Sequence, residues 1–157
     1  MSNLSQNKRI DIASRVIQAS SQTIYQAFLH PESLATWLPP TGMSGQVNRF
    51  EPAEGGSFQI TLTYEDGTAS GKTSDNTDVV QGRFVELVPD KRIVQAVLFD
   101  SENPAFAGEM VQSWVMEPVE KGTKVTIICE NVPAGIRKED HDIGLRSTLE
   151  NLAAFVE

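Results

Sequence analysis

The sequence predicts an α+β domain in which antiparallel strands wrap one long C-terminal helix. Three observations carry that class. From Ser44 onward the chain falls into short apolar runs separated by turn residues. In the run that follows Gly55-Gly56, Phe58, Ile60, Leu62 and Tyr64 alternate strictly with Gln59, Thr61 and Thr63, which gives that strand one wet and one buried face. Near the C-terminus, Leu145, Leu149, Leu152 and Val156 recur at spacings of four, three and four, with Ala153 and Phe155 widening the stripe. Short connections between consecutive strands favour antiparallel neighbours, and a curved sheet of this kind has one face that the long helix alone is large enough to cover.

Taken in order, residues 9–19 read as an opening strand through the β-branched Ile10, Ile12, Val16 and Ile17. The period then changes to that of a helix capped by Ser20 or Ser21, with Ile24 and Phe28 one turn apart and Tyr25 and Leu29 repeating the spacing. Pro31 disfavours an α conformation in the residue before it, so this helix is expected to stop at His30, and a second short helix follows from Pro31 to Leu38 before Pro39-Pro40. Breaks at Glu54-Gly55-Gly56, residues 65–78, Pro89-Asp90, Asn103-Pro104 and Lys121-Gly122 separate strands at 79–88, 92–99, 110–117 and 123–130. Residues 65–78 are expected to be a long loop. Glu139, Asp140 and Asp142 at the start of the last helix suit the positive end of its dipole.

At 157 residues the chain fits one domain, 1–157, with residues 1–8 expected to be flexible, and such a fold buries roughly 68 to 70 % of its extended surface. No stretch approaches the roughly 20 apolar residues of a membrane helix, and Met1 to Arg9 has no secretory signal, so a soluble, cytoplasmic protein without membrane insertion is expected. A net charge of −8 repels phosphate backbones, which argues against nucleic acid. Cys129, the single cysteine, rules out an intrachain disulfide and alternates with Val125 and Ile127 like an inert core thiol.

Little in the sequence supports catalysis, and nothing calls for a cofactor or a metal. Gly67-Thr68-Ala69-Ser70-Gly71-Lys72-Thr73 superficially resembles a phosphate-binding loop, but only three residues separate its glycines' working positions, Asp66 stands where the first glycine belongs, and a strand follows instead of a helix. No nucleophile elbow occurs. Asp140, His141 and Asp142 diverge by about 100° per residue around a helix and cannot share one ion. His30, at a helix junction, has a local structural role. His141 lies one turn before Leu145, on the inward face of the last helix beside Gly144 and Thr148. Two alternatives follow: His141 points into a void between helix and sheet, or it pairs with a carboxylate at a partly solvated helix start. Gly144 costs about 1 kcal/mol against alanine inside a helix, a cost that close approach of a ligand or strand would offset. Trp37 and Trp114, each with an N–H in need of a partner, join Phe58, Phe84 and Phe99 as core rings that would also suit an apolar pocket.

These residues assemble into a recognisable order: Pro31-Glu32-Ser33-Leu34 to Trp37 and Pro39, Phe50-Glu51-Pro52 to Gly55-Gly56-Ser57-Phe58, Gly82-Arg83-Phe84-Val85-Glu86-Leu87-Val88-Pro89, Gly122-Thr123, and His141-Asp142-Ile143-Gly144-Leu145. The set resembles the START-like (SRPBCC) superfamily, in the branch named for its likeness to the C-terminal domain of the activator of heat shock protein 90 ATPase. The resemblance implies a helix-grip fold, Bet v 1-like, whose sheet curves around the C-terminal helix and encloses a cavity that often takes lipids or other apolar molecules. Shape alone does not fix activity in such a group. Three positions depart from the branch: His30 stands in place of a frequent aspartate cap, residues 51–54 lack an arginine before Gly-Gly, and Leu145 replaces a frequent tryptophan, which would enlarge a cavity.

The leading expectation is a binding module for a small apolar ligand, with a cavity lined by Trp37, Phe58, Ile60, Phe84, Phe99, Trp114, His141, Gly144, Leu145 and Thr148. The alternatives are a co-chaperone that stimulates a heat-shock ATPase, as the resemblance implies, and a cavity enzyme using His141 as acid or base. A monomer or weak homodimer is expected.

Overall fold

The computed structural model describes residues 9–39, 42–65, 77–99, 104–106 and 108–157. The loop resembling a phosphate-binding motif, residues 67–73, lies outside them, as do residues 1–8.

Seven strands form one antiparallel sheet: β1 (Ile10–Ile17), β2 (Met43–Phe50), β3 (Ser57–Tyr64), β4 (Thr77–Val88), β5 (Arg92–Phe99), β6 (Met110–Val119) and β7 (Gly122–Glu130). Their spatial order is β1-β7-β6-β5-β4-β3-β2, so every pair except β1–β7 is a sequential hairpin, and β1 and β2 are the two edges. Helices α1 (Ser21–Gln26) and α2 (Pro31–Trp37) connect those edges, and α3 (Lys138–Val156) runs against β1 under the concave face. The ladder shifts register between Val47 and Arg49 and between Phe84 and Glu86. An extra residue on one strand bends it and increases its twist, which is how this sheet acquires curvature.

Two boundaries differ from the sequence-based expectation. The first helix ends at Gln26, four residues before His30, and a turn through Ala27 and Phe28 follows. Ser20 does cap it, its hydroxyl accepting from the Thr23 N–H at 3.1 Å. The strand after residues 65–78 begins at Thr77, inside the stretch read as a loop.

β1 divides its β-branched residues between two faces: Ile10, Ile12 and Val16 are 50–57 % exposed on the outer face, while Asp11 and Ile17 turn inward and are fully buried. A strand with one buried carboxylate inverts the pattern that hydrophobic alternation leads one to read.

Gly122 explains one of the motif positions. It turns β6 into β7 at φ 147°, and a Cβ there would lie 2.1 Å from the Ile17 carbonyl oxygen of the neighbouring edge strand. Gly122→Ala is therefore expected to cost at least about 2 kcal/mol in urea unfolding. Gly144→Ala should behave oppositely and gain about 0.5–1 kcal/mol, since a Cβ at that helical position meets nothing within 4 Å.

Candidate functional site

The concave face of the sheet and the inward face of α3 enclose the interior. α3 contributes Leu145, Thr148, Leu149, Leu152 and Ala153, all buried. Opposite them the rings fall into two groups. Phe28, Trp37 and Trp114 form a triangle with centroids 4.8, 4.9 and 5.6 Å apart, every pair edge-to-face. Both indoles find the partner that burial demands: Trp37 Nε1 donates to the Ala27 carbonyl at 3.0 Å, and Trp114 Nε1 donates to Gln95 Oε1 at 3.3 Å. Phe84 sits between Phe50 and Phe58 at 5.8 and 5.2 Å.

Interstrand register then places Val47, Ile60, Val80 and Phe99 side by side in one row across β2 to β5. Ile60 is buried, whereas Val47, Val80 and Phe99 remain partly exposed while packing on the core. Phe99 meets Phe106, from a single 3₁₀ turn at Pro104–Phe106, at 6.4 Å.

The residues expected to line a cavity are thus divided. Trp37, Phe58, Ile60, Phe84 and Trp114 are brought together in the core at 1–4 % exposure, with Leu145 above them. Phe99 stands at the margin of that surface. Thr148 turns its hydroxyl to the Leu38 carbonyl at 3.2 Å and so ties α3 to the end of α2, helped by Asn151 bonding the Pro39 carbonyl at 2.9 Å. Gly144 is half-buried with open space beside it, so no strand approaches it closely.

His141 takes the second of its two alternatives, pairing with a carboxylate. Its Nδ1 lies 2.6 Å from Oδ2 of the fully buried Asp11. Arg9 grips the same carboxylate through Nε and Nη2, at 3.2 and 2.9 Å, and donates Nη1 to the Ile136 carbonyl. Lys138 adds a looser contact to Asp11 at 3.7 Å and another to Asp142 at 3.6 Å. Burial pushes the Asp11 carboxyl upward, but the hydrogen bonds from Arg9 and His141 outweigh it and hold the pKa at about 2. Asp11 in turn raises the Arg9 guanidinium through their hydrogen bond. Across the ladder, burial and the nearby Asp11 charge push the Cys129 thiol up to about 12, so it is an inert thiol.

A carboxylate-oriented imidazole is half of an acid–base arrangement. The neighbouring thiol does not serve as a nucleophile: Cys129 is fully buried and held protonated. The cluster instead fastens the first strand to the start of α3. Asp11 and Arg9 were not singled out in the sequence, where a lone acid between Ile10 and Ile12 reads as the solvent face.

Two clefts lie outside the interior, between β1 and α3. One of about 300 Å³ is lined by Ile12, Ala13, Ser14, Lys138, Asp142 and Arg146, and one of about 200 Å³ continues it past Arg15, Leu149 and Glu150. Among the described residues no group of three or more His, Cys, Asp or Glu side chains could hold a metal, and no helix is long and apolar enough to cross a membrane.

A sheet curved over a C-terminal helix, with an aromatic concave face, defines a START-like helix-grip protein. The chain belongs to the family described as Activator of Hsp90 ATPase homolog 1-like protein, whose model matches residues 18–157. Among solved structures it is similar to a protein from Chromobacterium violaceum, with 30 % identity over 94 % of this chain and 96 % of that one and a TM-score of 0.84. An AHSA1-like protein from Aeromonas hydrophila shares the fold at 15 % identity, over 94 % of this chain and 92 % of that one, with a TM-score of 0.71. A protein from Rhodobacter sphaeroides does so at 20 % identity, over 95 % and 93 %, with a TM-score of 0.72. Comparison with curated proteins gives no match.

Proposed function

We propose that this protein binds a small, predominantly apolar molecule between the concave face of its sheet and α3. The observation that carries this is the row Val47, Ile60, Val80 and Phe99, apolar across four strands, continuous with the core and only partly covered at three of its four positions. Apolar surface of that extent on a concave face is where a hydrophobic ligand gains most from leaving water. Trp37, Phe58, Phe84, Trp114, Gly144, Leu145 and Thr148 would form the deeper wall, and entry there requires side chains to move apart. His141, held by Asp11, would stand at the end of that wall.

Native mass spectrometry of protein taken from cell extract, followed by thermal unfolding with added fatty acids and aromatic compounds, tests this. A co-purified molecule, or a rise of several degrees in Tm with one ligand class that Phe99→Asp abolishes, is the expected result. No co-purified molecule together with an unchanged Tm across both classes overturns it.

A second reading, stimulation of a heat-shock ATPase, is favoured by the family match alone. An ATPase assay with the cognate chaperone separates it from the first: a rate unchanged at saturating protein removes it.

A further inference from the structure

β1 is an edge strand with an unusual outer face. It pairs with β7 on one side, and no hydrogen bond from a described residue reaches the other side between Ile10 and Val16. Edge strands ordinarily carry charges, prolines or bulges that discourage pairing with another chain. Here the four outward residues are Ile10, Ile12, Ser14 and Val16, none charged, and the three β-branched ones are at least half exposed.

The flank of α3 that borders this edge has its own order. Lys138, Asp142, Arg146 and Glu150 recur every four residues along about 18 Å of helix, with charges alternating plus, minus, plus, minus. Arg146 and Glu150 make no ion pair with a described residue, and neither does Arg15 beside them on β1. Such a stripe is complementary to itself when reversed: Lys138 meets Glu150, and Asp142 meets Arg146. Its midpoint falls at the level of position 144. The clefts place Ala13 and Ser14 alongside Asp142 and Arg146, so the midpoint of the strand and the midpoint of the stripe share one level.

We propose that this face is a homodimer interface: two copies pair antiparallel through β1 about a twofold axis at Ser14, which sets their α3 stripes side by side in opposite directions. An isologous contact must be self-complementary, and both elements are. On the outer face the register brings Ile12 opposite the partner's Val16 twice, and on α3 it brings Asp142 opposite the partner's Arg146 twice. The paired strands extend the sheet to fourteen, and the clefts between β1 and α3 close.

Two experiments on the full chain test it. Sedimentation equilibrium is expected to show a monomer–dimer equilibrium below about 1 mM that weakens with salt. Arg146→Asp turns two attractions into repulsions and should raise the dissociation constant about tenfold, while the exchange Asp142→Arg with Arg146→Asp should restore most of it. Independently, Ser14→Cys should oxidise to a disulfide-linked dimer, because residues facing each other across the twofold have Cα atoms about 4.5 to 5.5 Å apart, inside disulfide range. The buried Cys129 gives the unsubstituted chain no such band. A chain that stays monomeric at every concentration overturns the proposal, and so does a dimer that Arg146→Asp leaves intact and Ser14→Cys does not crosslink.

Discussion

Trp37→Ala is expected to lower the unfolding free energy by about 4 kcal/mol, more than a typical core truncation. Trp37 is 1 % exposed and holds three structures at once. Its ring meets Phe28 and Trp114 edge-to-face at 4.8 and 5.6 Å, and its Nε1 ties the end of α2 to the carbonyl of Ala27 at the end of α1. Removing it opens a cavity beneath both short helices and leaves a buried carbonyl unsatisfied, and these two costs fall on the same junction. Trp37→Phe separates them. The phenylalanine keeps most of the apolar area but cannot donate, so about 1–2 kcal/mol should be lost. Urea unfolding followed by far-ultraviolet circular dichroism measures both, without depending on the tryptophan being removed. A Phe variant as unstable as the Ala variant would place the cost in the hydrogen bond instead of in packing.

The same tryptophan illustrates what the sequence made legible. Trp37 and Trp114 were recognisable as core rings in need of N–H partners, because size and the indole's single donor are properties of the residue itself. The partners were not: Ala27 lies ten positions away and Gln95 nineteen, and neither follows from a local pattern. Strand β3 and helix α3 were legible because each carries a clear apolar period in its sequence, two or 3.6. The end of α1 was not, since Tyr25, Phe28 and Leu29 keep apolar spacing beyond Gln26 while the backbone has already turned. β1 was found, but its facing was not legible. Ile10, Ile12 and Val16 point outward, and beside Ile17 the fully buried inward residue is an aspartate whose imidazole partner, His141, lies 130 residues further along the chain. Alternation cannot reveal a buried carboxylate when the groups that justify its burial are that remote. The clefts beside β1 were equally invisible, because they depend on which strand becomes an edge.

Asp11 should accordingly make a large electrostatic contribution to stability, and acid titration should expose it. Its carboxyl has a pKa near 3.8 when unperturbed and about 2 in the folded protein. A depressed folded pKa means that the unfolded chain takes up the proton first, so stability from this group is fully present above about pH 4 and is lost as pH falls through about 2. The difference corresponds to about 2 kcal/mol. Asp11→Asn keeps the shape and one acceptor but removes the charge that Arg9 and His141 face. The expected cost at pH 7 is about 2–3 kcal/mol, moderated because the Arg9 and Lys138 side chains keep 22 % and 58 % exposure and can turn to water. Urea unfolding repeated between about pH 7 and pH 2 should show the unsubstituted chain losing stability along this acid limb, and Asp11→Asn losing less of it by about the same 2 kcal/mol. His141→Ala should fall between the two, because it removes one of the two hydrogen-bonding partners that hold the carboxyl down and leaves Arg9 in place. Parallel acid limbs in Asp11→Asn and the unsubstituted chain would mean that the carboxylate titrates alike folded and unfolded, and that the fastening of β1 to α3 owes its strength to packing around Ile17 and Leu149 instead.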